Sequence, residues 1–96
     1  MKEKTKEIIM FHGASCPHCQ AMIPLADKVA KEEKIKIIKK EVWNNEKNAS
    51  EMRKYSKIIM PACGGSLGVP AFVNREKNTC FCGENSYEDF KKWIKQ

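Results

Sequence analysis

A chain of 96 residues with a formal net charge of +6 and no Pro-, Gly- or Ser-rich linker is expected to form one domain, large enough to bury roughly 60 to 70% of its unfolded surface without disulfides or metal. No stretch approaches the roughly 20 apolar residues of a membrane span, and the short apolar run behind the Lys-rich residues 1–7 is too brief for the core of a secretory signal. The expectation is a soluble, cytoplasmic protein whose lysines, Lys28, Lys31, Lys34, Lys36, Lys39 and Lys40 among them, form a solvated surface, since no aromatic-interleaved basic cluster of the nucleic-acid-binding kind is present.

The first element is Glu7 to His12, whose continuous run Ile8-Ile9-Met10-Phe11 is the pattern of a strand covered on both faces. Gly13-Ala14-Ser15 turns the chain. From Cys16 onward Cys19, Met22 and Ile23, Ala26, and Val29 and Ala30 recur at helical spacing. Pro17 suits the first helical position, where no backbone donor is needed, and Pro24 should bend the helix by removing one internal hydrogen bond. Ile35-Lys36-Ile37-Ile38 supplies a second strand running toward Val42. Asn44 or Asn45 can cap a second helix with Ala49, Met52, Tyr55 and Ile58 or Ile59 on one face. The stretch from Met60 through Pro61, Cys63, Gly64, Gly65 and Gly68 has the composition of a loop and leads to Val69-Pro70 and the short strand Ala71-Phe72-Val73. Glu76-Lys77-Asn78 turns into Thr79-Cys80-Phe81-Cys82, a hairpin, and Ser86 with Asp89 opens a last helix carrying Tyr87, Phe90 and Ile94. The order is βαβαββα, an α/β class in which the first two strands pair in parallel through a right-handed crossover.

The chemistry is concentrated in Cys16-Pro17-His18-Cys19, two thiols one helical turn apart at a strand-to-helix junction. Unpaired backbone N–H groups and the positive helix end favour an anion at Cys16 by about 0.3 to 2 kcal/mol. Such a pair can open and close a disulfide with little movement of the backbone. Cys16 is then the exposed nucleophile, Cys19 the more buried resolving thiol, and His18 a ring placed to stabilise the Cys16 thiolate. His12 reads as a packed or partly exposed histidine.

With Pro24 five residues past the second cysteine, Val69-Pro70 opening a strand and Gly83 ahead of the last helix, the chain resembles the thioredoxin superfamily over nearly its whole length, and in its short form its glutaredoxin-like members. The resemblance implies a minimal thioredoxin fold, a four-stranded mixed sheet flanked by three helices, with a cis bond before Pro70 and a Val69 main chain free to receive an extended substrate. It implies a monomeric thiol–disulfide oxidoreductase with no bound cofactor and a redox-active Cys16–Cys19 disulfide. Its partners would be protein disulfides, with a reductase or glutathione as electron donor and neither nucleic acid nor membrane. The Pro-His dipeptide is similar to that of bacterial periplasmic disulfide oxidases. Met10 stands where thioredoxins carry a buried aspartate. Glutathione-binding glutaredoxins commonly have Gly-Gly and an acidic residue before the last helix, and Cys82-Gly83-Glu84-Asn85 matches half of that pattern.

Cys63, Cys80 and Cys82 fall outside this pattern. On one strand Cys80 and Cys82 share a face with their α-carbons about 7 Å apart, at the limit for a bridge, so they are not expected to pair with each other. Cys63 reads either as structural or as an additional reactive thiol near the site. A different class of function is a soft-metal or zinc site built from Cys16, Cys19 and Cys63, or from Cys63, Cys80 and Cys82. A third class is a redox-silent binding module.

Overall fold

The structure, a computed structural model, describes residues 6–96; residues 1–5, most of the Lys-rich start, lie outside them. Eight elements follow in order: β1 (Glu7–His12), α1 (Pro17–Glu33), β2 (Lys36–Glu41), α2 (Glu46–Arg53), α3 (Ser56–Ala62), β3 (Ala71–Asn74), β4 (Thr79–Cys82) and α4 (Tyr87–Lys95). The sheet runs β2-β1-β3-β4, with β1 and β2 parallel and the β1/β3 and β3/β4 pairs antiparallel. The two termini of this order are edge strands. β1 is therefore held by hydrogen bonds on both sides, and its apolar run is explained by cover on both faces as well.

Alternate residues of β1 enter different cores. Ile8 and Met10 pack with Met22, Ala26 and Val29 of α1, Phe72 of β3 and Phe90 and Ile94 of α4. Ile9 and Phe11 pack with Met52 of α2, Ile59 of α3 and Ala71 and Val73 of β3 on the opposite face. The period of two along a strand makes this division automatic. Each side chain of this kind contributes about 1.5 to 3 kcal/mol when removed from water. Met10, at 0% exposure, fills the first core with a thioether and leaves no carboxylate beneath α1.

Four helices flank the sheet, and the order is βαβααββα, a correction to the three helices and the βαβαββα order read from the sequence. The expected second helix is broken at Lys54–Tyr55. The Lys54 amide donates back to Glu51 O and Met52 O, closing α2, and Tyr55 leaves the helical region at φ −102°, ψ 16°. The break turns the Tyr55 ring toward Phe11, with centroids 6.1 Å apart, and directs Ile59 into the core. A continuous helix carries its stripe in one line; the two side chains are reached here by two short helices instead. Met60, Pro61 and Ala62, read as loop from their neighbours, complete α3. Pro61 lies in the last turn, where the hydrogen bond it cannot make costs only one backbone pairing.

The helix starts follow the sequence closely. Asn45 Oδ1 accepts from the Asn48 amide at 3.0 Å and Ser86 Oγ from the Asp89 amide at 3.1 Å, each satisfying a donor that the first helical turn leaves unpaired. Among the described residues no helix is long and apolar enough to cross a membrane. The lysines are in part engaged: Lys39 with Asp27 at 2.8 Å, Lys40 with Glu51 at 2.5 Å and Lys91 with Glu32 at 3.1 Å.

Phe90 is fully buried, and its ring lies 4.6 Å from Phe72, 5.8 Å from Phe81 and 6.1 Å from Trp93, centroid to centroid. Phe90→Ala should lower unfolding stability by about 3 to 5 kcal/mol in a urea titration, since the rings around the vacated space belong to three separate elements and cannot collapse into it together.

Candidate active site

Cys16 is the N-cap of α1. Its backbone is extended (φ −82°, ψ 115°) and its Sγ accepts the Cys19 amide at 3.2 Å, the position an Asp or Ser oxygen takes in most helices. Pro17 follows at the first helical position and needs no partner for a missing N–H. The Cys19 sulfur lies against the preceding turn, 3.5 Å from the Gly13 amide. The helix start thus points both sulfurs at backbone donors.

Neither residue is open to solvent in the way the sequence suggests for the first. Cys16 is 4% exposed and Cys19 0%, a correction to the exposed nucleophile expected above. The cause is the cap itself: to reach the Cys19 amide the Cys16 side chain folds back over the first turn, beneath exposed Ala14, Ser15, Pro17 and His18. The order of accessibility between the two is as expected. Burial first, and then a hydrogen bond to Cys16, push the Cys19 thiol up to about 12 against the opposing pull of the Gly13 amide. Cys19 therefore holds its proton at neutral pH and presents it to Cys16.

The turn before Cys16 is held from β2. Glu41 takes the Ala14 amide at 2.9 Å and the Trp43 amide at 2.8 Å on Oε2, and the Asn44 amide at 2.9 Å on Oε1. Partial burial disfavours the charge of Glu41, but those three donors outweigh it and hold its carboxyl below the usual range. The Trp43 indole lies flat against Gly13, so close that an added Cβ would fall 2.3 Å from the ring. Neither residue was singled out in the sequence. Glu41 is 27 positions from Ala14, and only the parallel register, His12 beside Glu41, brings them together.

On the other side a shallow groove of about 620 Å³ is lined by His18, Val69, Gly83, Glu84, Asn85 and Ser86. The bond between Val69 and Pro70 is cis, and Pro70 is fully buried at the entry to β3. The Pro70 carbonyl accepts the Gly83 amide at 2.8 Å, which ties the start of β3 to the turn after β4. Gly83 has φ 91°, a conformation that favours glycine, and the Asn85 side chain donates to the carbonyls of Cys82 and Gly83 at 3.1 and 3.3 Å. The hydrogen bond made by the His18 ring is to Glu84 across this groove, Nδ1 to Oε1 at 2.8 Å, and not to the sulfur the sequence assigned to it. Because an ionised carboxylate only accepts, Nδ1 carries the proton. With the two side chains 67% and 50% exposed, the pair is an adjustable closure and contributes little stability.

Cys63, at the end of α3, is bonded to Cys82, the last residue of β4, with α-carbons 5.4 Å apart. Cys80 and Cys82 do not bond with each other, as their spacing implied, and Cys80 is a free thiol pushed up to about 11 by burial. Among the described residues no three His, Cys, Asp or Glu side chains gather as a metal site. The Cys63 sulfur counted toward both candidate zinc sets is engaged in the disulfide.

No protein-family model matches the chain, and no curated protein matches it. The small α/β architecture, its mixed four-stranded sheet and the adjacent cysteine pair are compatible with a thioredoxin-like fold.

Two measurements test this geometry. Alkylation followed by peptide mass analysis should modify Cys16 before Cys19 at neutral pH, with Cys19 labelling rising only as pH climbs toward 12. Gly13→Ala should displace Trp43, seen as a shift of indole fluorescence, and destabilise the protein by about 1 to 3 kcal/mol as an overpacked contact.

Proposed function

We propose that the protein is a thiol–disulfide oxidoreductase of the thioredoxin superfamily, glutaredoxin-like in its short form, that exchanges a Cys16/Cys19 dithiol with protein disulfides. The observation carrying this reading is the asymmetry of the pair: Cys16 sits on the helix N-cap with the Cys19 amide donating to its sulfur, while Cys19 lies behind it and keeps its proton. A backbone amide makes a stronger hydrogen bond to an ionised sulfur than to a neutral one. Pro17 fixes the turn on which both depend.

The Cys16 thiolate attacks one sulfur of the substrate disulfide. A bond forms between them, and the other substrate sulfur departs with the electron pair of the broken bond. Two of the influences that hold the proton on Cys19, the hydrogen bond to Cys16 and its charge, vanish once Cys16 is in the mixed disulfide. Cys19 then yields its proton, attacks Cys16 Sγ and expels the second substrate thiolate, which takes the proton up. Two electrons have passed to the substrate, and Cys16–Cys19 is oxidised. The reverse sequence oxidises a substrate dithiol. A reductase or glutathione resets the pair.

The groove beside the pair receives the substrate. An extended segment laid along Val69 ahead of β3 would be recognised mainly through its backbone. His18 and Glu84 stand at its two sides, so a bound segment displaces or bridges their contact. Glutathione is a second candidate for the same groove.

With insulin as the disulfide substrate, Cys16→Ser should abolish both reduction and the mixed disulfide. Cys19→Ser should stop turnover but accumulate a mixed disulfide visible on a non-reducing gel. A Cys16→Ser protein that still reduces insulin at the native rate would overturn the assignment.

A further inference from the structure

The Cys63–Cys82 bridge lies outside the exchange chemistry described above, yet it touches the segment that builds the groove. Cys82 is followed directly by Gly83, Glu84 and Asn85, three of the groove's lining residues. Its carbonyl is held by Asn85, and the Gly83 amide is held by Pro70. At the other end, Gly68 rests on the bridge: a Cβ there would lie 3.7 Å from Cys63 Sγ and 3.8 Å from Cys82 Sγ. Gly68 leads into Val69. Apart from His18 on α1, the segments lining the groove, Val69 and Gly83–Ser86, are therefore attached to one disulfide.

Within the loop from Cys63 to Val69, Leu67 and Val69 pack, partly buried, against the second core. Gly64 and Gly65 adopt φ 81° and 107° with open space around them, and among the described residues the backbone bond within this loop runs from the Gly65 amide to Met60 O. Cys63 packs against the outside of the second core, and Cys82 belongs to neither core. Both cysteines are half-buried, and the residue resting on their sulfurs is a glycine with no side chain to shield them. The fold thus places a reachable disulfide where it governs a loop rather than the core.

We propose that Cys63–Cys82 is a second redox site, a switch on the substrate groove: oxidised, it holds Val69 and Gly83–Ser86 in the binding arrangement; reduced, it releases them and weakens substrate binding at Cys16. The reductant is a dithiol. One of its thiolates attacks a bridge sulfur, the S–S bond breaks and the mixed disulfide is resolved by the second thiol. The dithiol leaves as a cyclic disulfide, and Cys63 and Cys82 each carry a thiol proton. Cys80, two residues away on the same strand and protonated at neutral pH, does not scramble the bridge. The consequence for substrate binding rests on the exchange reading given above; the change in the groove does not.

The test therefore has two parts. In full-length protein carrying Cys16→Ser and Cys19→Ser, graded dithiothreitol reduces the bridge alone, and amide hydrogen exchange is followed by mass spectrometry. Exchange at the hydrogen-bonded amides of the two segments, Gly65 and Gly83, should rise roughly tenfold or more on reduction, with β1 and β2 unchanged. Unchanged exchange in the two segments, or loss of protection throughout the sheet, overturns the proposal, the second because the bridge would then be a staple of the whole fold. In protein with an intact Cys16/Cys19 pair, Cys63→Ser with Cys82→Ser should raise KM for a disulfide peptide several-fold and leave kcat near the parent's. An unchanged KM overturns the switch. If parent and variant both fail to exchange, the proposed function is lost, and the hydrogen-exchange result still decides the switch.

Discussion

The hydrogen bond from the Cys19 amide to the Cys16 sulfur is the interaction on which the rest depends. It closes the first turn of α1 and fixes the distance between the two thiols. Sulfur is a weak acceptor when protonated and a far better one as a thiolate. A residue such as Asp or Ser would cap the helix more firmly and could not exchange disulfides. The helix therefore accepts a poorer cap in the thiol state, and the thiolate recovers the interaction. Structure and chemistry share one atom here.

Around that atom two supports come from opposite sides. Glu41 and Trp43 belong to the end of β2 and hold the turn 13–15, so the approach to α1 is anchored to the parallel half of the sheet. Val69 and Gly83, at the ends of the antiparallel half, line the groove, and the Pro70 carbonyl ties the two together through the Gly83 amide. β1, paired with both halves and buried on both faces, keeps the two supports in register. A rigid central strand with adjustable edges suits the proposed exchange, in which two sulfurs are held still beside a groove for an extended segment. The exposed His18–Glu84 pair and the glycine-rich loop are the parts with freedom to move.

Burial sets the division of labour between the thiols more than any single charge does. Cys19 sits on the core side of α1 with Met22 and Ala26, and its high proton affinity follows from desolvation first. The first core holds Met10 and no carboxylate, and in the proposed exchange the proton on Cys19 leaves when the mixed disulfide at Cys16 removes two of the influences that hold it. Cys80 shows the same desolvation without a neighbouring thiol, and it has no partner to exchange with.

Much of this arrangement was legible in the chain because it is local. The run from Ile8 to Phe11, the caps Asn45 and Ser86, the Cys16–Cys19 spacing and the strand positions of Cys80 and Cys82 all follow from periods of 2 and 3.6 residues and from which side chains can reach a nearby amide. The break at Tyr55 was hidden because Met52, Tyr55 and Ile59 keep helical spacing across it, and only the position of Phe11 required the turn. Glu84 opposite His18, Glu41 under Ala14, Trp43 on Gly13 and the choice of Cys82 as the partner of Cys63 join positions 19 to 66 residues apart. The sequence by itself determined the elements and the two thiols at the helix start, since those depend on neighbours along the chain. Which side chains meet across the site, and which cysteine was left free, was decided only when strand register and helix packing set the distances between segments that share no local pattern.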